Sequence, residues 1–288
     1  MALLNCENLT YLYSVGTPFE TAAIEDVSFS AEKGEIIGVI GHTGSGKSTL
    51  IQHLNGLLLE PHKGVVMFDN KNIWAKENRK SIRNIRFAVG LCFQYPEYQI
   101  FEETVFKEIA YGPTQMGLDE DEIARCVYES MDFVGVSKDL EKSSPFDLSG
   151  GQKRRVAIAS IIAMKPQVLI LDEPCAGLDP KGREVILELI RNYQKAEGNT
   201  VIFVSHSMED VAKIAKKVLV MNKGGVYMYG DVSEVYSHGK ELKGMGLNVP
   251  EVTDVFLKLH DMGIPCRTDI FTLEQAKAEY SRLREVTV

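Results

Sequence analysis

The amino-acid sequence predicts an α/β fold whose central sheet is covered on both faces. Three short apolar runs, rich in β-branched residues, span residues 35–40, 168–171 and 200–204. Uninterrupted apolar strands of this kind are typical of a sheet buried on both faces. The first run leads into a glycine-rich loop and then into a predicted helix over residues 49–55, so strand, loop and helix follow one another. Polar residues follow all three runs, and open α/β sheets bind their ligands at the carboxyl ends of their strands.

Two further parts of the chain are predicted to be helical. Residues 96–162 separate the first strand from the second, and apolar residues recur there with helical spacing after an acidic start. We expect a mostly helical insertion. After a short strand over residues 226–229, the α/β core is predicted to end near Tyr236. In the tail, Thr272 and Gln275 form a capping box for a last helix, and a helical hairpin is expected to pack on the core or on a partner.

Composition excludes several classes of protein. The 288 residues carry a formal net charge of −8, which argues against a chain whose main partner is nucleic acid. The five cysteines are scattered and lack CxxC spacing, so neither a disulfide framework nor a zinc site is predicted, in keeping with a reducing cytosol. The first residues show no secretory pattern, and no segment approaches the roughly 20 apolar residues that cross a bilayer. If the protein works at a membrane, it must bind something that spans it.

The glycine-rich loop matches the G-x-x-x-x-G-K-[ST] pattern that binds phosphate. Its glycines let backbone N–H groups turn toward phosphate oxygens, and the following helix adds its positive N-terminal end. Lys47 is predicted to reach the β and γ phosphates, and the Ser48 hydroxyl to reach Mg²⁺. The alternative is a glycine-rich turn that happens to precede a helix. The predicted ATP-binding residues of the loop are Gly41, His42, Thr43, Gly44, Ser45, Gly46, Lys47, Ser48 and Thr49.

Three more residues at predicted strand ends fit the chemistry of ATP hydrolysis. Asp172 ends a buried strand, where an ionised carboxylate is costly unless a cation such as Mg²⁺ is near. Glu173 is the candidate to polarise the attacking water, and His206 to contact the γ-phosphate or orient that water. Alone, Asp172 could be a cap or turn residue and His206 a structural histidine. Their common sheet edge favours the functional interpretation.

A second glycine-rich motif, Leu148 to Arg155, opens another predicted helix. It gives a second anion-binding helix N-terminus that the first site does not need, although a helix cap before a basic turn would look similar. Together and in this order, the motifs resemble the ATP-binding cassette family over about residues 3–236. The resemblance implies a P-loop NTPase (RecA-like) nucleotide-binding domain over residues 1–236, a helical subdomain at about 96–162, and a helical extension over 243–288 that contacts the dimer partner.

The same resemblance implies a head-to-tail dimer that binds ATP and Mg²⁺. The element formed by Ser149, Gly150, Gly151 and Gln152 would close on the ATP of the partner. Gln94 matches a glutamine that contacts Mg²⁺, Asp179 lies in a loop that crosses the interface, and Tyr13 would stack on adenine, with Tyr11 as the alternative on the same strand. The sequence departs from the usual pattern at Cys175 and Lys153, and neither position performs chemistry in this scheme.

A narrower resemblance links residues 93–101, 111–113 and 16–20, with the helical tail, to the ATPases of energy-coupling factor importers, as the second member of their ATPase pair. It implies a peripheral protein on the cytoplasmic face of the cell membrane. The expected partners are a second, paralogous ABC ATPase in a heterodimer, a transmembrane coupling subunit and an exchangeable membrane subunit that captures substrate. Vitamins or transition-metal ions are the implied substrates.

Two other classes of P-loop ATPase or kinase are the alternatives. A cassette ATPase of another transporter, of DNA repair or of chromosome organisation would share these motifs, but the DNA-associated types carry a long coiled coil or a basic surface, and the chain shows neither sustained heptads nor a basic balance. A stand-alone P-loop enzyme such as a small-molecule kinase would leave the Ser149 motif and His206 unexplained.

Overall fold

The computed structural model describes residues 2–75 and 82–286. Residue 1 and residues 76–81 of the predicted 1–236 domain, and residues 287–288 of the predicted extension, lie outside the described residues.

A six-stranded sheet forms the centre of the fold, as the apolar runs predict. Its strand order is β10-β9-β3-β8-β7-β6, with parallel pairing throughout except at the edge strand β10. The parallel register places the carboxyl ends of β3, β6, β7 and β8 at one edge. The strands are β3 (Ile36–Gly41), β6 (Val89–Cys92), β7 (Val168–Asp172), β8 (Thr200–Val204), β9 (Lys217–Asn222) and β10 (Gly225–Asp231).

A second, antiparallel sheet packs against the first. Its strand order is β2-β1-β4-β5, and alternation of buried and exposed residues along β1 and β2 gives it one covered face. Both long strands carry register shifts, so each bends along its length. The strands are β1 (Ala2–Tyr13), β2 (Thr21–Glu32), β4 (Lys63–Phe68) and β5 (Lys71–Asn72).

Helices pack against the parallel sheet on both of its faces. Residues 96–162 contain helices and no strand, in agreement with the predicted composition of this segment. The acidic start proposed there is a capping box, in which the Asp119 side chain accepts from the backbone of Glu122 and the Glu122 side chain accepts from the backbone of Asp119. The helices of the α/β part are α1 (Lys47–Leu54), α2 (Ile82–Ala88), α3 (Val105–Met116), α4 (Glu120–Val134), α5 (Gly150–Ile162), α6 (Pro180–Glu197) and α7 (Met208–Ile214).

Two apolar clusters on opposite faces of the parallel sheet explain why its strands are apolar throughout. Alternate residues of β3 divide between them: Ile37 and Val39 belong to the cluster with α1 and the antiparallel sheet, while Ile36 and Ile40 belong to the cluster with α3 to α7. Each strand therefore buries both sets of side chains. This arrangement holds the strand ends, and the loops that follow them, in fixed positions.

The tail after the sheet is helical, as predicted. Thr272 and Gln275 form the expected capping box, each accepting from the backbone of the other. Its small apolar cluster is centred on Phe256, Cys266 and Ile270. The helices are α8 (Val232–Ser237), α9 (Gly239–Gly244), α10 (Glu251–Asp261) and α11 (Leu273–Val286). Within the described parts of the chain, no helix has both the length and the apolar character needed to cross a membrane.

Candidate functional site

The glycine-rich loop lies between β3 and α1, and the helix begins at Lys47 rather than at residue 49. Gly46 immediately precedes the helix with φ at 99°, a left-handed conformation that side chains disfavour. A Cβ atom at this position would lie 2.6 Å from the Ala23 carbonyl oxygen of β2. Only glycine therefore allows the loop to pass this close to the antiparallel sheet and still start α1.

Lys47 folds back across the loop that it ends. Its Nζ donates hydrogen bonds to the carbonyl oxygens of Gly41, at 2.7 Å, and of His42, at 2.8 Å. Burial lowers the pKa of Lys47, and the nearby carboxylates of Glu173 and Asp172 oppose that shift. The ammonium group is thus held at the centre of the loop by acceptors that phosphate oxygens resemble.

The loop forms one wall of a cleft of about 440 Å³ at the carboxyl edge of the parallel sheet. Gln94 follows β6, Asp172 ends β7, Glu173 comes next, and His206 lies two residues beyond β8. Parallel strands bring these sequence-distant residues together, as predicted from the strand ends for Asp172, Glu173 and His206 and from the family resemblance for Gln94. The lining residues are Thr21, Ala22, Ala23, Thr43, Gly44, Gly46, Lys47, Ser48, Thr49, Gln94, Asp172, Glu173 and His206.

Asp172 and Ser48 meet inside this cleft. The Ser48 Oγ lies 3.5 Å from the Asp172 Oδ2, with the hydroxyl donating. Burial raises the pKa of Asp172, while Lys47 and the Ser48 hydroxyl act in the opposite direction. This carboxylate, the adjacent hydroxyl and the amide of Gln94, which lines the same cleft, can supply oxygen donors that suit Mg²⁺ when phosphate and water supply the remaining ligands. Among residues 2–75 and 82–286, no group of three or more His, Cys, Asp or Glu side chains could hold a metal without such help.

Glu173 is the most perturbed carboxyl group of the cleft. Burial raises its pKa from 4.5 to about 7, and the backbone N–H of His206 opposes that shift. Its φ of 50° places the residue in the left-handed region, which is uncommon for a residue other than glycine. Its Oε1 is buried without a hydrogen-bond partner in the described structure. A strained, buried acceptor with a pKa near neutrality has the properties of a general base.

His206 lies beside this carboxyl group. Its Nε2 is 3.4 Å from the Glu173 Oε1. The pKa of His206 is lowered by partial burial and by the charges of Lys47 and His42, so the imidazole is neutral at pH 7. A neutral ring can donate a hydrogen bond through one nitrogen and accept through the other.

Three predicted loop residues point their side chains or Cβ positions away from the cleft. A Cβ at Gly41 would lie 2.4 Å from the Met221 carbonyl oxygen, so this glycine is needed for packing against β9. The His42 Nε2 contacts the carbonyl oxygen of Met245, in the segment after α9. The Ser45 hydroxyl is buried. These three residues can bind phosphate only through their backbone N–H groups.

The structure distinguishes between the two tyrosines that could stack on adenine. Tyr11 is buried, with its ring against His53 at 4.5 Å and His62 at 5.1 Å. Tyr13 is 41% exposed at the end of β1, and its hydroxyl lies 3.5 Å from the Oγ1 of Thr49 in the first turn of α1. Tyr13 alone is placed beside the cleft with an accessible ring.

The second glycine motif lies away from this cleft. Ser149 and Gln152 form a capping box at the start of α5, and Asp179 caps α6 by accepting from the backbone N–H of Gly182 at 2.8 Å. These caps border a separate cleft of about 240 Å³ that shares no lining residue with the first. It is lined by Ser149, Gly151, Gln152, Arg154, Arg155, Leu178, Asp179, Lys181, Gly182, Val185 and Ile186.

Comparison with known proteins identifies the family. The ABC transporter family model matches residues 24–176. The energy-coupling factor transporter ATP-binding protein EcfA2 of Caldanaerobacter subterraneus is 50% identical over 279 residues, which cover 97% of this chain and 96% of that protein. EcfA2 of Clostridium perfringens is 54% identical over 275 residues and 95% of each chain. The chain belongs to the ABC transporter family.

Within that family, the chain is an ATP-hydrolysing subunit of an energy-coupling factor importer, and it couples hydrolysis to transport. The prediction of this group, and of the second ATPase within it, is confirmed by the EcfA2 relatives. A solved structure agrees: cbiO1 from Clostridium perfringens, described as part of the ABC transporter complex cbiONQ, is 37% identical with a TM-score of 0.75, over 91% of this chain and 97% of that chain. The predicted P-loop NTPase fold is likewise confirmed.

At the two departures from the usual family pattern, the structure shows no loss of a cleft residue. Cys175 is buried, and burial raises the pKa of its thiol to about 12, so it packs as a small, protonated side chain. Lys153 is half-buried on α5 and does not line either cleft described above. All five cysteines are free.

Sequence reasoning missed two features of this ABC ATPase. The start of β2, at Thr21 to Ala23, lines the first cleft, and no polar motif marks it. Arg154 and Glu97 form a buried ion pair between two motifs. The sequence held a partial signal for this pair, because Glu97 lies three residues after Gln94 and Arg154 lies two residues after Gln152. The two residues are 57 positions apart, however, so no local pattern connects them.

Proposed function

We propose that the chain binds ATP and Mg²⁺ in the first cleft and works as one half of a head-to-tail pair with a second, paralogous ABC ATPase. Ser149, Gly150, Gly151 and Gln152 then complete the ATP site that begins at the partner's phosphate-binding loop. The partner's equivalent element completes the site at Lys47. Each of the two ATP sites is composite, so hydrolysis requires the pair.

The open N-terminus of α5 is the observation that carries this proposal. Ser149, Gly150 and Gly151 are exposed, and a Cβ atom at either glycine would meet no atom within 4 Å. Neither glycine has a positive φ, so this chain's own fold requires glycine at neither position. A helix N-terminus of bare glycines favours the close approach of an anion. Because the element borders a different cleft from Lys47, that anion belongs to another subunit.

In the first cleft, each polar residue has a proposed role set by its position. Ser48, Asp172 and Gln94 would hold Mg²⁺ through oxygen atoms. When bound, the ion would neutralise charge on the β and γ phosphates. Lys47 and the backbone N–H groups of the loop bind the phosphate oxygens, and Tyr13 stacks on adenine.

Glu173 is proposed as the general base for the attacking water. Its Oε1, buried and without a hydrogen-bond partner among the described residues, offers an acceptor to a water proton. A pKa of about 7 matches the proton affinity that a base needs near neutral pH. His206, neutral and 3.4 Å away, orients that water or contacts the γ-phosphate. Asp179 is proposed to lie at the interface of the pair.

A third cleft suits a membrane partner. It has a volume of about 270 Å³ and begins close behind Gln94, at Pro96 and Gln99. We propose that a helix of the transmembrane coupling subunit docks here, so that changes at Gln94 reach the membrane. Its lining is mainly apolar and comprises Phe87, Leu91, Cys92, Pro96, Gln99, Phe101, Glu108, Tyr111, Gly112, Gln115, Ala157, Ser160, Ile161 and Met164.

The remaining proposals concern organisation and cargo. Residues 1–236 form the nucleotide-binding domain, with residues 96–162 as its helical subdomain, and the 243–288 extension contacts the second ATPase. The chain is peripheral on the cytoplasmic face of the cell membrane. An exchangeable membrane subunit captures the cargo, a vitamin or a transition-metal ion, and nucleic acid is not a partner.

A single glycine tests the composite site. Gly151→Ala should leave ATP binding by the isolated chain and its melting temperature unchanged, because the new methyl group meets open space. In the assembled pair it should lower hydrolysis of the ATP held at the partner's phosphate-binding loop by about 10-fold or more, since misplacement by about 1 Å costs that much. Gly225→Ala is the control, because this residue lies outside both clefts and outside the 243–288 extension, and its Cβ would meet no atom closer than 3.7 Å.

Two outcomes would contradict the proposal. Wild-type hydrolysis by the Gly151→Ala pair would remove the element from the ATP site. Recovery of the tagged chain from membranes as a homodimer bound to nucleic acid, without membrane subunits, would exclude the importer assembly. Co-purification with a second ATPase and a membrane subunit is the expected result.

A further inference from the structure

Arg154 is a buried side chain at the junction of three functional segments. It lies on the second turn of α5, and only 2% of its surface is exposed. Its Nε and Nη2 donate to the two carboxylate oxygens of Glu97, at 3.0 and 2.5 Å. Its Nη1 donates to the carbonyl oxygens of Pro174, at 3.2 Å, and Ala176, at 2.6 Å. One guanidinium therefore joins α5, the segment after Gln94 and the loop after Glu173.

Tyr95 strengthens the same junction. The Arg154 guanidinium lies over its ring at 5.9 Å from the centroid, a cation–π distance. The ring also lies close to Gly177, where a Cβ would come within 3.5 Å of it. Tyr95 has a φ of 53°, so the backbone next to Gln94 is held in a conformation that a residue other than glycine rarely adopts.

Each joined segment begins at a residue with a proposed role at ATP. Gln94 and Glu173 line this chain's own cleft, whereas Ser149 to Gly151 border the other cleft and serve the partner's ATP. An arginine that makes a bidentate ion pair and two further hydrogen bonds is a rigid link, because its planar fork fixes the acceptors in position. The three segments are therefore constrained to move together.

We propose that Arg154 is a positioning residue that couples the two ATP sites of the pair. Binding of ATP beside Gln94 and Glu173 then shifts the N-terminus of α5, and with it the element that completes the partner's site. Arg154 touches no nucleotide in this scheme. The inference rests on the proposed composite sites and adds a physical link between them.

The test uses the assembled complex with its second ATPase. Arg154→Met alone would leave the Glu97 carboxylate buried and unpaired, which destabilises a fold. The Glu97→Gln, Arg154→Met double variant removes both charges, so we expect its melting temperature and its ATP dissociation constant to stay close to wild type. Lys153→Met is the matched control, since it removes a neighbouring cation of α5 that has no bond to Glu97.

The measurements are kcat, KM and the Hill coefficient for ATP hydrolysis. The double variant should lower kcat by about 10-fold or more and bring a Hill coefficient above 1 in the wild type down to about 1, because coupling between sites is lost. Arg154→Lys should give a kcat and a Hill coefficient between those of the wild type and the double variant, since lysine keeps the positive charge but not the planar guanidinium group. Lys153→Met should behave as wild type.

The negative results for the composite site and for the coupling role of Arg154 can be told apart. If Gly151→Ala hydrolyses ATP normally in the same complex, the composite site itself is wrong. If Gly151→Ala is impaired but the double variant keeps the wild-type kcat and Hill coefficient, the coupling role of Arg154 is overturned. A wild-type Hill coefficient of 1, or a fall in kcat that only follows a fall in melting temperature or ATP affinity, would also overturn it.

Discussion

The Nε2 of His206 lies 3.4 Å from the Oε1 of Glu173, although the two residues follow different strands of the sheet. Burial moves their pKa values in opposite directions, raising that of Glu173 to about 7 and lowering that of His206. Glu173 therefore titrates close to neutral pH while His206 is already neutral there, so the two do not form a fixed ion pair. Such a pair can take up and pass on a proton during hydrolysis.

Replacing Glu173 by glutamine separates binding from chemistry. Glu173→Gln should keep ATP affinity near wild type, because the side chain keeps its size and lies beside the loop rather than in it. Turnover by the assembled complex should fall by about 10²-fold or more, the usual contribution of a general base. Steady-state hydrolysis and equilibrium nucleotide binding measure the two effects. Hydrolysis near the wild-type rate would remove Glu173 from this role.

The same substitution should change how stability depends on pH. Between pH 4.5 and about pH 7, the folded chain holds a proton on Glu173 that the unfolded chain has released. This group's stabilisation of the fold is therefore complete below pH 4.5 and is lost as the pH rises through about 7. Glutamine resembles the protonated form and does not titrate. Without nucleotide, Glu173→Gln should raise the melting temperature more at about pH 8 than at about pH 5.

Thermal denaturation at the two pH values checks this expectation. Glu188→Gln, at an exposed position of α6, is the control and should shift the melting temperature equally at both. An equal shift for Glu173→Gln at both pH values would show that its carboxyl group ionises normally in the folded chain.

Tyr13 should contribute affinity through its ring. Tyr13→Ala removes a stacking surface worth about 1–3 kcal/mol per base and should raise the ATP dissociation constant by about 10-fold. Tyr13→Phe loses only the contact at 3.5 Å with the Thr49 hydroxyl and should bind ATP nearly as wild type. Titration with a fluorescent ATP analogue measures both. Equal affinities of the alanine variant and the wild type would exclude adenine stacking at this position.

Three central strands and the helical segments of the fold could be predicted because their signals are local. The apolar runs that became β3, β7 and β8 needed no long-range information, since strands buried on both faces are apolar throughout. The capping box at Thr272 was predicted for the same reason, because a cap and its partner are three residues apart; the boxes at Asp119 and Ser149 have the same spacing but were not predicted. The start of α1 was placed too late, since the helix begins at Lys47, and the antiparallel sheet and strands β6 and β9 were not predicted.

Local sequence could not show the direction in which a side chain points or which distant residues it contacts. His42 lies inside the phosphate-binding motif, yet its ring contacts Met245, which is more than 200 positions away. Tyr11 and Tyr13 are two residues apart on β1, so the strand period places both on the same face. The packing of Tyr11 against His53 and His62 makes its environment different from that of Tyr13. These outcomes depend on which distant segments meet at each position.

By itself, the sequence determined the chemistry: a phosphate-binding loop, two acidic residues and a histidine at strand ends, and a second glycine motif. Each depends on residue types at short spacings, which a sequence states directly. Tertiary structure alone decided how the motifs are joined. The Glu97 and Arg154 pair spans 57 positions and reaches the loop after Glu173 because β6, β7 and α5 pack side by side. Contacts of that range follow from the packing of the whole chain, which no local pattern encodes.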